Sequence, residues 1–119
     1  MMPLFVYGTL RDPEFASRLL ERELAMEPAR LLDFELLRLE GLAYPTVFEA
    51  PGEVVAGGLY RGLTGEDYER LDAYEGAHEG LYVRIEGRVV AGEDASKGAP
   101  EPAYVYVVTE RTLRRYGAL

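Results

Sequence analysis

The chain has 119 residues, no cysteine and a formal net charge of −8. This length predicts one domain over residues 1–119. The absence of cysteine excludes disulfides, thiolate metal sites and a cysteine nucleophile. The acidic charge disfavours nucleic acid and anionic membrane surfaces, because both are bound through clustered Lys and Arg. No apolar run reaches the roughly 20 residues of a membrane span and no signal peptide opens the chain, so we expect a cytoplasmic protein whose partner is a small solute or another protein.

The first predicted element is a strand at Leu4–Val6, where a continuous apolar run is typical of a strand buried on both faces. Tyr7-Gly8-Thr9-Leu10 follows; its glycine allows a turn or a close approach to a ligand, and its threonine adds a hydroxyl. Asp12 then caps a helix that begins at Pro13. A strand, a glycine turn and a helix start in succession can seat a small anion on backbone amides, but the local pattern alone favours a plain strand-ending turn.

The remaining elements predict an α+β fold. They are a helix from Pro13 to about Glu23, strands at Ala29–Leu39, Tyr44–Phe48 and Val54–Leu63, a helix from Thr64 to a stop at Gly76, strands at Leu81–Val90 and Ala103–Thr109, and a short helix within 110–119. Because turns rather than crossover helices join most strands, we expect a mainly antiparallel, strongly bent sheet or a small barrel.

Three local features refine the predicted strands. Pro51-Gly52 predicts a turn between two of them. Gly57-Gly58 indicates a bulge, a bend or the close approach of another group. Period-two alternation places Leu32, Phe34 and Leu36 on the buried face of their strand.

Glu75 is the strongest candidate for acid–base chemistry. At about 100° per residue it falls within a roughly 60° arc with Tyr68 and Leu71, on the helix face that should meet the core. A carboxylate there loses water, which raises its pKa and suits it to proton transfer near neutral pH. A glutamate that reaches solvent at the helix end, or that pairs with Arg84, fits the same pattern equally well.

Other reactive residue types give little support for a site of their own. His78 is the only histidine, and without cysteine it does not suffice for a transition-metal site. Neither Ser17 nor Ser96 lies in a nucleophile-elbow motif, and no glycine-rich nucleotide fingerprint is present. The nine tyrosines are more typical of core and rim positions, and Arg84 is typical of a solvated strand face or a carboxylate pair.

Three motifs together resemble the gamma-glutamylcyclotransferase-like family, and most of all its short members near the gamma-glutamylamine cyclotransferases. They are Phe5-Val6-Tyr7-Gly8-Thr9-Leu10, Leu71-Asp72-x-Tyr74-Glu75-Gly76 and Leu81-Tyr82-x-Arg84, with Tyr44-Pro45 and Val55-x-Gly57-x-Leu59-Tyr60 as further shared features. The resemblance extends from Leu4 to about Val108. It implies a small mixed, mainly antiparallel β-barrel flanked by two or three helices. Asp12-Pro13-Glu14 replaces the more usual basic, glycine-containing continuation, which leaves the leaving group undefined.

The resemblance implies an enzyme that converts a γ-glutamyl amine or peptide to 5-oxoproline and a free amine, through attack of the substrate's own α-amine. Glu75 would move the protons, the backbone of Tyr7, Gly8, Thr9 and Leu10 would hold the α-carboxylate, and Tyr82 would line the pocket. Neither a metal nor a cofactor is needed for this reaction. Two alternatives stay open on the same fold: a non-catalytic module that binds a small carboxylate, and a protein-interaction domain. The sequence defines neither the leaving amine nor the oligomeric state.

Overall fold

A computed structural model describes residues 1–41 and 45–115. Within these ranges the elements are β1 (Leu4–Val6), α1 (Pro13–Leu20), β2 (Glu27–Leu37), β3 (Thr46–Tyr60), α2 (Gly65–Tyr74), β4 (Tyr82–Ala91), β5 (Glu101–Val108) and α3 (Glu110–Arg115). Short 3₁₀ turns lie at Thr9–Arg11 and Ala77–Glu79. None of the helices in the described ranges is long and apolar enough to span a membrane.

The five described strands close into a barrel in the order β1-β3-β2-β4-β5. β1 closes it, because it runs antiparallel to β3, with Phe5 opposite Leu59, and parallel to β5, with Leu4 opposite Tyr104. The other strand pairs are antiparallel. The barrel is therefore mixed and mainly antiparallel with three helices beside it, which confirms the predicted fold class.

Alternation along β1 divides the core into two parts, as expected for a strand buried on both faces. Phe5 points into the barrel, where it packs with Leu31 and Val55. Leu4 and Val6 point outward and pack beneath the helices. Because both faces of β1 are packed, the position of Tyr7, which follows the strand, is fixed, and so is the start of the next turn.

The helix starts are the ones that the sequence predicts. The Asp12 side chain accepts the Glu14 N–H at 3.0 Å, and Pro13 occupies the first helical position of α1. Thr64 and Asp67 form a reciprocal capping box at the start of α2. α1 is shorter than predicted, because the chain leaves the helix at Glu21, with a φ of 55°, rather than at Glu23.

The predicted turn at Pro51-Gly52 is wrong, because both residues lie inside the continuous strand β3. Leu32 pairs with Val54 and Phe34 with Glu49, so 50–53 bulge out opposite the single residue Asp33. The Asp33 carboxylate accepts the Gly52 N–H at 3.0 Å and holds this bulge in place.

The same bulge overturns the predicted buried face of β2. Asp33, which lies opposite the bulge, has a φ of 63°, so the side-chain alternation of β2 is broken at this residue. Leu31 and Phe34 are buried, whereas Leu36 is 44% exposed. β3 also runs on from Thr46 to Tyr60 as one strand where two were predicted, and it ends before Leu63. The predicted start at Tyr44, and the chain after residue 115, lie outside the described residues.

Candidate active site

A cavity of about 290 Å³ opens where the turn after β1 meets the C-terminal end of α2. Its walls come from β1 and its turn, the end of α2, the start of β4, and β5. The described lining residues are Phe5, Val6, Tyr7, Gly8, Thr9, Leu10, Pro45, Tyr74, Glu75, Leu81, Tyr82 and Tyr106. All six residues that the sequence analysis names as site residues are in this set, although the two motifs lie more than sixty positions apart.

The turn after β1 lines this cavity with Tyr7, Gly8, Thr9 and Leu10. Its first hydrogen bond runs from Arg11 N–H to Gly8 C=O at 3.0 Å. The amides of Thr9 and Leu10 precede that bond, so the turn itself gives them no acceptor. The Leu10 carbonyl accepts the buried Tyr60 hydroxyl at 2.5 Å, which anchors the turn to β3. The turn is therefore anchored beside the cavity, and backbone amides in such a turn are suited to hold an anionic group.

Tyr7 contributes its ring and its backbone to the cavity. Its hydroxyl donates to the Tyr106 carbonyl at 2.6 Å and is buried. Burial raises the pKa of Tyr7 well above its ordinary value, so the phenol stays neutral. The hydroxyl therefore serves to join β1 to β5 at the cavity wall.

The glycines near the cavity have two different physical roles. A Cβ at Gly8 would meet no atom within 4 Å, so this glycine keeps the cavity surface open. A Cβ at Gly57 would lie 2.3 Å from the Val6 carbonyl oxygen and 2.5 Å from the Phe5 ring. Gly57 thus allows β1 to pack closely on β3, and at Gly58 the Met26 side chain approaches in the same way. The close approach predicted at this glycine pair is confirmed.

Glu75 reaches the cavity because α2 ends at that residue. Its N–H still donates to the Leu71 carbonyl at 2.9 Å, and the next residue, Gly76, turns the chain with a φ of 70°. The Leu81 N–H then returns to the Gly76 carbonyl at 3.1 Å. A Cβ on Gly76 would lie 2.7 Å from the Leu81 side chain, so only glycine allows this tight return. Leu81 and Tyr82 consequently line the cavity beside Glu75.

The Glu75 carboxyl has an unusual electrostatic environment. The side chain is half-buried, and the described part of the chain supplies it with neither a hydrogen bond nor an ion pair. Burial raises its pKa from 4.5 to about 7. Arg84 is not its partner, because the Arg84 guanidinium binds Asp72 at 3.1 and 3.2 Å. A carboxyl with this pKa can both take and give a proton near neutral pH.

The burial of Glu75 predicts a specific pH dependence of stability. A carboxyl with a raised pKa in the folded state contributes fully below pH 4.5 and loses that contribution as the pH rises through about 7. We expect the free energy of unfolding of the wild type to fall by about 3 kcal/mol relative to Glu75→Gln across that interval. Urea denaturation of both proteins at several pH values measures the difference. Two curves with the same pH dependence would contradict the burial of this charge.

The sequence analysis missed Tyr106 and Tyr74 as cavity residues, and also Leu81. Tyr106 lies opposite Arg84 in the β4–β5 pair, and its hydroxyl donates to Asp72 at 2.6 Å. Alternation along β5 was the available signal, but it does not choose among several tyrosines without the strand pairing. In the described ranges, no group of three His, Asp or Glu side chains is arranged to hold a metal ion.

The sequence is similar to proteins of one family. The family model described as gamma-glutamyl cyclotransferase, AIG2-like, matches residues 4–118. AIG2-like protein A of Arabidopsis thaliana is 32% identical over 96 residues, which are 81% of this chain and 56% of that protein. Protein AIG2 B of the same plant is 31% identical over 103 residues, 87% of this chain and 59% of that protein. The chain spans a little over half the length of these curated relatives.

Solved structures agree with this result. A protein named gamma-glutamyl cyclotransferase superposes with a TM-score of 0.74 at 25% identity, over 91% of this chain and 66% of its own. A solution structure from Arabidopsis thaliana superposes with a TM-score of 0.79 at 25% identity, over 98% and 67% of the two chains. With the motifs and the barrel topology, these matches confirm the resemblance: the chain belongs to the gamma-glutamyl cyclotransferase, AIG2-like, family.

Proposed function

We propose that this protein is a cyclotransferase that converts a γ-glutamyl amine or peptide to 5-oxoproline and a free amine. The observation that carries the proposal is that the residues of the Tyr7–Leu10 turn and the half-buried Glu75 line the same cavity. Its volume, about 290 Å³, is close to the lower end of small-molecule sites, which begin at about 300 Å³.

In the proposed reaction the substrate provides its own nucleophile. Glu75 takes a proton from the α-ammonium group, and the free α-amine attacks the γ-carbonyl carbon. A new C–N bond closes the five-membered lactam, and the original amide C–N bond breaks. Glu75 releases this first proton to solvent, takes the second surplus proton from the attacking nitrogen and gives it to the departing nitrogen. The lactam nitrogen then keeps one hydrogen, the amine leaves neutral and the carboxylate is restored. The pKa of about 7 suits both transfers.

The turn after β1 is the substrate-binding element of the proposed site. The amides of Thr9 and Leu10 bind the α-carboxylate, and the aromatic walls fold the glutamyl chain toward its own carbonyl. Because attack within one molecule needs only this conformation, positioning can supply several kcal/mol of the barrier.

The presence of the Glu75 carboxyl in the cavity favours a catalytic function over ligand binding alone. A module that only binds a small carboxylate gains nothing from a second carboxyl in the same half-buried cavity, because the two charges repel and the cavity desolvates both. A proton-transfer group must lie near the reacting nitrogen whatever this arrangement costs in affinity.

The test is a product assay with a panel of γ-glutamyl anilides, alkylamides and dipeptides. We expect 5-oxoproline and the free amine in equal amounts from at least one of them. Glutamate as the product would indicate hydrolysis and contradict cyclisation. Binding of the panel by calorimetry without any turnover would instead identify a binding module.

Substitution of Gly8 tests substrate binding by the turn separately from the stability of the fold. Gly8→Ala adds one methyl group to the cavity surface, and no atom lies within 4 Å of it. We expect kcat/KM to fall by about tenfold to a hundredfold, because the methyl group displaces the substrate from the amides by about 1 Å. The melting temperature should stay at the wild-type value. Wild-type kcat/KM in Gly8→Ala would remove this turn from the site.

A further inference from the structure

Asp72 lies one helical turn before Glu75 on α2 and is the meeting point of three elements. Its carboxylate accepts two hydrogen bonds from Arg84 of β4, at 3.1 and 3.2 Å. It also accepts the Tyr106 hydroxyl of β5, at 2.6 Å. The end of the helix that carries Glu75 is thus attached to two barrel strands through one side chain.

The Arg84 guanidinium is held more firmly than an arginine in a surface ion pair. It lies 4.4 Å from the ring centroid of Tyr68 and 4.4 Å from that of Tyr104, and these two ring centroids are 5.0 Å apart. The Arg84 and Asp72 side chains are only 22% and 23% exposed. A planar guanidinium suits both the rings and the two carboxylate oxygens, which an ammonium group does not.

The same group of residues reaches the cavity wall. Tyr106 lines the cavity, and its carbonyl accepts the Tyr7 hydroxyl at 2.6 Å. Tyr106 and Arg84 are also direct cross-strand partners. A continuous set of hydrogen bonds therefore runs from α2 through Asp72 and Tyr106 to Tyr7, the residue that begins the amide turn.

Resting on the proposed function, we propose that Asp72, Arg84 and Tyr106 form a positioning unit for Glu75. The unit fixes the C-terminal end of α2 against the wall made by Tyr106 and Tyr7. It also neutralises the Asp72 charge beside the catalytic carboxyl.

Loss of the Arg84 charge should shift the pKa of Glu75 in a definite direction. Among the described residues, the other titratable groups that line the cavity with Glu75 are the phenols of Tyr7, Tyr74, Tyr82 and Tyr106. Burial raises the pKa of Tyr7 and of Tyr106 above the ordinary value, so these two phenols stay neutral. Polar side chains of neighbouring elements, Arg18, His78 and Glu79, are exposed, so solvent screens their interaction with Glu75. Loss of Arg84 would leave the half-buried Asp72 carboxylate uncompensated one turn from Glu75. A nearby negative charge disfavours a second one, so the Glu75 pKa rises.

An NMR titration of the Glu75 carboxyl tests the unit without any substrate. We expect Arg84→Gln to raise the midpoint by about half a pH unit or more, and Arg84→Lys, which keeps the charge, to return it toward the wild-type value. Arg88→Gln is the control, because Arg88 is exposed on the same strand. If Arg84→Gln does not fold, Asp72→Asn is compared with wild type instead: it leaves the Arg84 cation uncompensated and should lower the Glu75 midpoint, and an unchanged midpoint would again overturn the electrostatic part. An unchanged midpoint in Arg84→Gln, or equal shifts in it and Arg88→Gln, would overturn the electrostatic part.

A double-mutant comparison tests the positioning part. We expect Tyr106→Phe to lower kcat about tenfold with KM unchanged, because the ring stays while the link to Asp72 is lost. In a Glu75→Gln background the same substitution should cost nothing further. A second tenfold loss in that background would show an effect that does not pass through Glu75 and would overturn the proposal. Wild-type turnover in Glu75→Gln alone would defeat the proposed role of Glu75, and no 5-oxoproline release by the wild type would defeat the proposed function, while the NMR titration would still decide the electrostatic part of the unit.

Discussion

Replacing Glu75 with glutamine is expected to lower the rate of 5-oxoproline release by about 10²- to 10⁴-fold. Glutamine has the same shape as glutamate, so the cavity and the Tyr7–Leu10 turn remain as they are. An amide does not accept the proton of the α-ammonium group, and it has none to give to the leaving nitrogen. Initial rates for the best substrate of the panel, measured for both proteins, give the ratio.

The pH dependence of the rate identifies the group concerned. Because Glu75 acts first as a base, the kcat/KM of the wild type should rise with pH through about 7, the pKa that burial gives this carboxyl. The variant should lack that rise. Glu69→Gln is the matched control, since Glu69 is exposed on the same helix and does not line the cavity. Equal losses in Glu69→Gln and Glu75→Gln would remove Glu75 from the mechanism.

Replacing Gly57 with alanine is expected to have the largest effect on stability. The added methyl carbon would lie 2.3 Å from the Val6 carbonyl oxygen, and that oxygen belongs to a strand fixed between β3 and β5. Overpacking of this kind costs about 1–3 kcal/mol, and more where backbone has to move. We expect a loss of about 3 kcal/mol in the free energy of unfolding, or no folded protein at all.

The control for Gly57→Ala is Gly8→Ala, which adds the same methyl group where no atom lies within 4 Å. Urea denaturation should show that the second variant stays within about 0.5 kcal/mol of the wild type. Equal stability of the two variants would mean that β1 does not pack on β3 as described. Since β1 leads directly into the Tyr7–Leu10 turn, this packing also determines where the amides of the site lie.

The features that sequence predicts well are those that depend on near neighbours. Asp12 before Pro13, Thr64 with Asp67, and Gly76 after Glu75 fix helix ends through contacts within a few residues. Helical periodicity predicts that Glu75 lies on the core-facing arc of its helix, but it fits a solvent-exposed or Arg84-paired glutamate equally well. That it shares a cavity with the Tyr7–Leu10 turn followed only from the family resemblance, because no local pattern records a contact across the barrel.

The features that sequence does not predict depend on strand register. The bulge at Asp33 is held by a hydrogen bond from Gly52, nineteen positions away, and it exposes Leu36 against the expected alternation. Tyr106 becomes a cavity residue only when β5 pairs with β4. Arg84 meets Asp72 rather than Glu75 for the same reason. One domain over residues 1–119, a cytoplasmic location and a small γ-glutamyl partner stay predictions.

The most direct test of the central claim is a crystal structure with glutaric acid monoanilide, a γ-glutamyl anilide analogue that lacks the α-amine and cannot cyclise. We predict its carboxylate at the amides of Thr9 and Leu10, with its amide group within hydrogen-bond reach of the Glu75 carboxyl. The Tyr106 ring should lie along its carbon chain. An analogue bound outside this cavity, or bound with its carboxylate on the turn and its amide turned away from Glu75, would contradict the account.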